Sequence, residues 1–243
     1  MKLWIGFITV ALFAGVALSQ ELPAGTAIPV SLSSSLNSNE KADKKIEGKV
    51  MQDVPLPSGR KVRKGSRVTG HIVASAQEAS GARLVIKFDT IQNEKNKLPL
   101  NVALLALATV ADIGNAQSPA GQNSDIFPKN QWVTRQVGGD TVDRAQGKVA
   151  SREGLVGTWI EGSSVLAKLT PNPDAGCPTG PGYDRDQAVW VFSSGACGIY
   201  GLKNVKVVAS GRLPPFGEIT LASKDNIEIH GGSGWLLIVV ETK

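Results

Sequence analysis

Two cysteines are the residues with the most distinctive chemistry in this chain of 243 residues. Cys177 and Cys197 are its only cysteines, and both lie next to glycine in stretches where turns bring chain segments together. In an oxidising compartment an isolated pair usually forms a disulfide. Closing a loop of about 20 residues restricts the unfolded chain by about 3 kcal/mol. The spacing therefore predicts one disulfide, between Cys177 and Cys197.

The sequence around the histidines and serines does not match the motifs of a metal site or of a nucleophilic serine. His71 and His230 each lack a second His or Cys at ligand spacing, so no metal site is predicted. A serine nucleophile elbow requires Gly-x-Ser-x-Gly, whereas residues 231–235 end in Trp, which favours a tight turn. Residues 193–198 resemble the Ser-x-Gly-Cys motif of L,D-transpeptidases. However, an Ala precedes Cys197, and the usual Arg after the cysteine is missing.

Acidic residues leave one enzymatic alternative open. A glycosidase needs two carboxyl groups flanking the scissile bond, and nothing in the sequence marks two acids as a pair. The acids available for such a pair are Glu161, Asp184, Asp186 and Glu218. Phosphate-loop and dinucleotide fingerprints do not occur. The sequence therefore predicts no catalytic, cofactor or metal site. The alternative is a secreted hydrolase or transpeptidase acting on cell wall or polysaccharide, with a site that no motif displays.

A basic segment, residues 41–67, carries the strongest charge asymmetry, with nine Lys or Arg against three acids. One interpretation is a patch that attracts an anionic envelope polymer. The interpretation that we favour is edge protection, because charged side chains on exposed edge strands oppose sheet-to-sheet aggregation. With aromatic residues at 5% and a net charge of +5, no nucleic-acid partner is expected. The predicted patch comprises Lys44, Lys45, Lys49, Arg60, Lys61, Arg63, Lys64 and Arg67.

The first nineteen residues have the pattern of a cleavable secretory signal peptide. Lys2 precedes an uncharged apolar run, and the small residues Ala17 and Ser19 suit a cleavage site after about Ser19. The run is short for a membrane span, which needs about 20 apolar residues, so a retained anchor is the alternative. No later run reaches that length. We therefore expect a periplasmic or secreted protein with no transmembrane helix in its mature chain.

Turn residues and short apolar runs predict a mainly β fold with little helix beyond the signal peptide. Residues 83–90 alternate apolar and polar side chains, the period of a half-buried strand. Residues 98–107 favour a buried strand, alone or running into a short helix, and residues 188–192 a central strand. From residue 164 to residue 240, runs about ten residues apart are typical of antiparallel barrels or sandwiches.

Loss of apolar periodicity after residue 112 predicts a break between two modules. Long loops without structure are uncommon inside compact domains, so such a stretch separates domains more often than it belongs to one. We expect a signal peptide at 1–19, a β-barrel-like module at 20–112, a linker or mobile insertion at 113–155, and a second β-rich module with the disulfide at 156–243.

The first module resembles a known family. Residues 22–30 contain Ala-Gly-Thr-Ala-Ile-Pro, and residues 62–70 place Gly-Ser before a strand. With residues 47–50 and Leu98-Pro99-Leu100, this order resembles the β-barrel domain of TrbI-like conjugation channel proteins, the outer-membrane core component of type IV secretion systems. The resemblance covers residues 22–110 and implies a barrel in an envelope setting. Family members have a membrane helix before the barrel, where this chain has its signal-like segment.

These observations predict an exported, non-enzymatic envelope protein with a binding or scaffolding role. Its expected partner is an anionic envelope polymer or another envelope protein, and no cofactor is expected. The family resemblance extends this to a role in a secretion-type assembly.

Overall fold

The computed structural model describes residues 21–78, 81–94, 96–118, 133–162, 164–171 and 184–241. Strands make up 54% of the described residues and helix 4%, with most sheets antiparallel, which confirms the mainly β prediction. The predicted signal peptide and Cys177 lie outside the described residues. In chain order the strands are β1 (Ala27–Leu32), β2 (Leu36–Asn37), β3 (Lys45–Val50), β4 (Val54–Pro55), β5 (Lys61–Val62), β6 (Arg67–Glu78), β7 (Gly81–Asn93), β8 (Asn96–Pro99), β9 (Val102–Ala108), β10 (Val133–Arg135), β11 (Thr141–Asp143), β12 (Lys148–Ser151), β13 (Gly154–Ile160), β14 (Ser164–Lys168), β15 (Asp186–Ala188), β16 (Gly198–Tyr200), β17 (Lys206–Ser210), β18 (Glu218–Ser223), β19 (Glu228–Ile229) and β20 (Gly234–Val239).

Ten of these strands form a nearly closed, barrel-like sheet. Its order is β16-β9-β20-β1-β3-β6-β7-β18-β17, with β8 paired to β7, and β16 runs parallel to β9. On β7, Leu84, Ile86 and Phe88 are fully buried, so the predicted alternation is confirmed. Phe88 meets Trp235 edge-to-face with ring centroids 5.7 Å apart, a favoured aromatic geometry. Apolar side chains pointing inward from every strand fill the barrel.

A second sheet packs against the outside of the barrel. Its six strands follow chain order, β10-β11-β12-β13-β14-β15, each antiparallel to the next. Side chains of β1, β9 and β20 that point away from the barrel interior join a second buried apolar cluster with this sheet. Strand β9 is therefore buried on both faces, which explains why residues 98–107 form an apolar run without alternation.

One helix, α1 (Val110–Gln117), follows β9 within the described part of the chain. The Thr109 hydroxyl caps it by accepting a hydrogen bond from the Asp112 amide. Of the two alternatives for residues 98–107, a strand that runs into a short helix is observed from Val102 onward, whereas residues 98–99 end β8. No helix among the described residues has the length and apolar character needed to cross a membrane.

Strand pairing divides the chain differently from the predicted modules. Residues 133–151, predicted as part of a linker, form β10, β11 and β12, while residues 119–132 lie outside the described ranges. Strands β16, β17, β18 and β20, predicted within a separate second module, complete the barrel sheet. The apolar pattern of a strand shows which face is buried but does not identify its partner strand, so these long-range pairings could not be predicted.

Candidate ligand-binding cleft

A cleft of about 870 Å³ opens where the six-stranded sheet meets the chain that leads into β16. We call it the intersheet cleft. The β10–β11 turn, the β12–β13 turn, the chain after β14 and the loop before β16 form its walls. Its polar and aromatic lining includes Gln136, Asp140, Arg152, Glu153, Ser194 and Tyr200. A volume of this size falls in the usual range of ligand sites in proteins.

The β10–β11 turn places the buried carboxylate of the cleft. Gly138 and Gly139 have φ angles of 99° and 114°, a backbone region that glycine adopts without strain. The Gln136 amide donates to the Asp140 carbonyl (2.8 Å), and the Gly139 amide donates to the Gln136 carbonyl (3.0 Å). The chain therefore reverses tightly and turns Asp140 into the protein, where Asp140 Oδ2 accepts a hydrogen bond from the Ser194 amide at 2.7 Å.

The loop before β16 is held from two sides. The Ser193 amide donates to the Val137 carbonyl (2.8 Å), and the Thr170 amide donates to the Ser194 carbonyl (2.9 Å). The Cys197 amide donates to the Tyr200 hydroxyl at 3.1 Å. These hydrogen bonds fix the cleft walls relative to each other, and a site that is already ordered loses less entropy when a ligand binds.

Trp190 precedes this loop and has a backbone conformation that is unfavourable for a bulky residue. Its φ of 51° lies in the left-handed region, which costs a bulky residue about 1–3 kcal/mol. Residues 188–192 were predicted as a central strand, and this prediction is wrong. Strand β15 ends at Ala188 at the edge of its sheet, and the chain then turns.

Two buried glutamines hold the Trp190 peptide in this position. Gln52 Oε1 accepts from the Trp190 amide at 2.6 Å, and Gln136 Nε2 donates to the Trp190 carbonyl at 3.0 Å. Gln52 is fully buried and also bonds both backbone groups of Val165, so its amide joins the chain after β3 to β14. A third, Gln187, accepts from the Ala27 amide at 3.0 Å. Glutamine side chains thus link the two sheets.

The polar groups inside the cleft are strongly desolvated. Asp140 is 5% exposed, and burial raises the pKa of its carboxyl group above the ordinary value of 3.8, while hydrogen bonds from Ser194 act in the opposite direction. Gln136 is 4% exposed, and its Oε1 has no hydrogen-bond partner among the described residues. An acceptor without a partner is uncommon among buried polar atoms and costs free energy in the folded protein.

The predicted basic patch lies on the barrel, away from the cleft walls. Lys45 and Lys49 of β3 and Arg67 of β6 lie on neighbouring strands. At Lys49 and Arg67 the strands are paired on both sides, so edge protection is the wrong interpretation for these two residues. Lys45 pairs with β6 and lies beyond the part of β3 that pairs with β1. The other cations lie before β3 or around the β4–β5 hairpin: Lys44, Arg60, Lys61, Arg63 and Lys64.

Half of this patch is paired with acids. The ion pairs are Lys44–Glu40, Lys61–Asp53, Arg63–Glu94 (2.8 Å) and Arg67–Glu47. Three of the cations, Arg60, Lys61 and Arg63, line a cleft of about 290 Å³ together with two acids. The positive charge of the patch is therefore partly compensated by acids from neighbouring turns and strands.

The remaining predicted residues stay apart from the intersheet cleft. His71 pairs with Asp89 at 2.8 Å on the barrel, and His230 lies in the tight turn before β20, as predicted for residues 231–235. None of the four acids considered for a glycosidase lines this cleft. Within the described residues no group of three His, Cys, Asp or Glu could hold a metal ion.

Cys197 lies close to the intersheet cleft and is 6% exposed. No described cysteine is a free thiol. Because Cys177 lies outside the described residues, the Cys177–Cys197 disulfide stays a prediction.

Sequence reasoning missed the two carboxylates that do line the cleft, Asp140 and Glu153. The signal that could have found Asp140 is the Gly138-Gly139-Asp140 sequence, which is typical of a tight turn and lies in the predicted linker at 113–155. No family model matches the sequence, and no curated protein matches it. The functional argument therefore depends on the geometry of the cleft.

Proposed function

We propose that this protein is an exported, non-enzymatic envelope protein that binds its partner in the intersheet cleft. One observation carries the proposal: three polar side chains that are at least nine-tenths buried, Gln136, Asp140 and Ser194, line an open cleft whose walls are fixed by backbone hydrogen bonds. Burying such groups costs free energy, which a ligand that completes their hydrogen bonds offsets. Export is supported by the signal-like residues 1–19.

Co-sedimentation with isolated cell-wall sacculi tests this binding role. We expect the protein to sediment with the sacculi and Gln136→Ala to bind about tenfold more weakly, because the Gln136 amide holds the Trp190 carbonyl and thereby the loop that forms one wall of the cleft. Gln92→Ala removes an exposed glutamine from β7 and serves as the matched control, with binding unchanged. Circular dichroism establishes that both variants fold. Failure of the protein to sediment, or equal binding by Gln136→Ala, contradicts the proposal.

A role as a subunit of a secretion-type assembly extends the proposal. It is supported by the resemblance of residues 22–110 to the TrbI-like barrel domain and by the barrel-like sheet. Purification from crosslinked envelope fractions, followed by mass spectrometry, tests it. We expect other envelope proteins to co-purify in fixed ratio, and recovery of a monomer without partners overturns this extension.

A second candidate function is a polysaccharide-acting hydrolase, and a specific observation favours considering it. The pKa of Asp140 is raised by burial, as is common for general acids, and Glu153 supplies a second carboxylate to the same cleft. This function predicts that the protein releases reducing ends from a polysaccharide and that Asp140→Asn abolishes release while binding persists. Binding without release by the wild-type protein excludes the hydrolase.

A further inference from the structure

We propose that the intersheet cleft binds an uncharged glycan segment. This inference rests on the proposed function and names the ligand class for the same site.

The charges of the described residues that line the cleft balance each other. Among the described residues its charged lining consists of two cations, Arg135 and Arg152, and two carboxylates, Asp140 and Glu153. The smaller cleft on the barrel has three cations and two acids. A surface with balanced charges offers no net potential to attract an ion, so it favours a ligand without net charge.

The cleft also presents the kinds of hydrogen-bonding groups that bind sugar hydroxyls. Guanidinium, carboxylate and amide groups present donors or acceptors in pairs, and neighbouring hydroxyls on a sugar ring present both. Arg152 supplies exposed donors and Glu153 exposed acceptors on the β12–β13 turn of the cleft. Sugar hydroxyls can accept from Arg152 and donate to Glu153, which an apolar ligand cannot do.

Tyr200 adds an aromatic ring to the lining of the cleft. Its ring is half-buried in the cleft wall, and its hydroxyl already accepts the Cys197 amide, so the ring has a fixed orientation. A fixed aromatic face offers apolar contact to the C–H face of a sugar while polar groups bind its hydroxyls. Aromatic and planar polar side chains therefore meet in one rigid cleft.

Isothermal titration calorimetry on the purified protein tests the ligand class with three uncharged tetrasaccharides: chitotetraose, cellotetraose and maltotetraose. We expect at least one of them to bind. The cationic deacetylated chitotetraose and an anionic sulfated tetrasaccharide are expected to bind at least about tenfold more weakly, because the cleft has no net charge to compensate theirs. If none of the uncharged probes binds, or if a charged probe binds more tightly, the inference is overturned.

A matched pair of exposed arginines locates the binding. Arg152 lies at the rim of the intersheet cleft, and Arg60 lies in the smaller cleft. Both side chains are exposed, so replacing either one by Ala removes no buried group. We expect Arg152→Ala to weaken binding about tenfold and Arg60→Ala to leave it unchanged. The reverse result places the ligand on the basic segment and overturns the inference.

The two proposals fail in distinguishable ways. A protein that sediments with sacculi through Gln136 but binds no uncharged tetrasaccharide retains the proposed function and loses the glycan inference. A protein that binds neither sacculi nor tetrasaccharide loses both.

Discussion

Asp140 in the intersheet cleft and Asp53 in the basic segment are both turn aspartates, yet their surroundings act on them in opposite directions. Asp140 is 5% exposed, and burial raises its pKa. The Asp53 side chain is 43% exposed, and hydrogen bonds from the Lys61 ammonium and from the Lys64 amide (2.8 Å) lower its pKa. The basic segment has many charges that water and acids compensate, whereas the cleft holds one desolvated carboxylate, that of Asp140. Desolvation therefore indicates a site better than charge density does.

The largest expected effect is on the glutamine that supports the cleft. Gln52→Ala removes three hydrogen bonds and leaves the buried backbone groups of Val165 and Trp190 without their partner. We expect the free energy of unfolding to fall by about 3–5 kcal/mol, measured by urea denaturation. Gln92→Ala, on the exposed side of β7, is the control and should cost less than about 0.5 kcal/mol. Similar losses in both variants mean that the glutamine link between the sheets is unimportant.

The next largest effect is expected in the β10–β11 turn, where two glycine variants separate the cost of backbone strain from the cost of a steric clash. Gly138→Ala and Gly139→Ala both force a side chain into a positive-φ position. A Cβ at Gly138 would lie 2.2 Å from the buried Ser193 hydroxyl oxygen, whereas a Cβ at Gly139 meets open space. We expect Gly138→Ala to be less stable than Gly139→Ala by about 1–3 kcal/mol and to weaken sacculus binding more. Equal stability of the two variants contradicts tight packing of the turn against the loop.

The pH dependence of stability should differ in sign between the two aspartates. Because the pKa of Asp140 is raised in the folded protein, its contribution lowers stability as pH rises from 3.8 through the folded pKa. Because the pKa of Asp53 is lowered, its contribution is present above 3.8 and is lost as pH falls through the folded pKa.

Urea midpoints measured from about pH 3 to pH 8 test these signs. Asp140→Asn should remove the decline in stability that occurs as the pH rises above 3.8. Asp53→Asn should remove the loss of stability that occurs as the pH falls below 3.8. If Asp140→Asn leaves the pH profile unchanged, its carboxyl group is not desolvated as described.

The smallest effect is expected in the basic segment. A double-mutant cycle with Lys61→Ala and Asp53→Ala should give a coupling free energy of at most about 1 kcal/mol, since both side chains are more than two-fifths exposed. The coupling should weaken in 1 M salt, where the screening length falls to about 3 Å. A coupling above about 2 kcal/mol would show that this segment is more rigid and desolvated than its exposure indicates.

Local patterns predicted the elements better than their partners. The alternation in β7 follows from side chains that point to opposite faces, and the turn before β20 follows from its glycines. The cleft could not be predicted, because Asp140, Arg152 and Ser194 come from separate turns and loops that the fold brings together. Likewise, Glu94, which compensates Arg63, lies outside the basic segment, so its effect could not be seen in a charge count of residues 41–67.

The sequence by itself determined a mainly β chain of short strands, with two cysteines and an N-terminal segment of signal-peptide type. These properties depend on residues that are neighbours along the chain, so periodicity and composition suffice to predict them. The tertiary structure decided which strands close the barrel, which face of β9 meets the second sheet and where a desolvated carboxylate lies. Burial and pairing depend on contacts between residues far apart in sequence, and desolvation exists only after those contacts form.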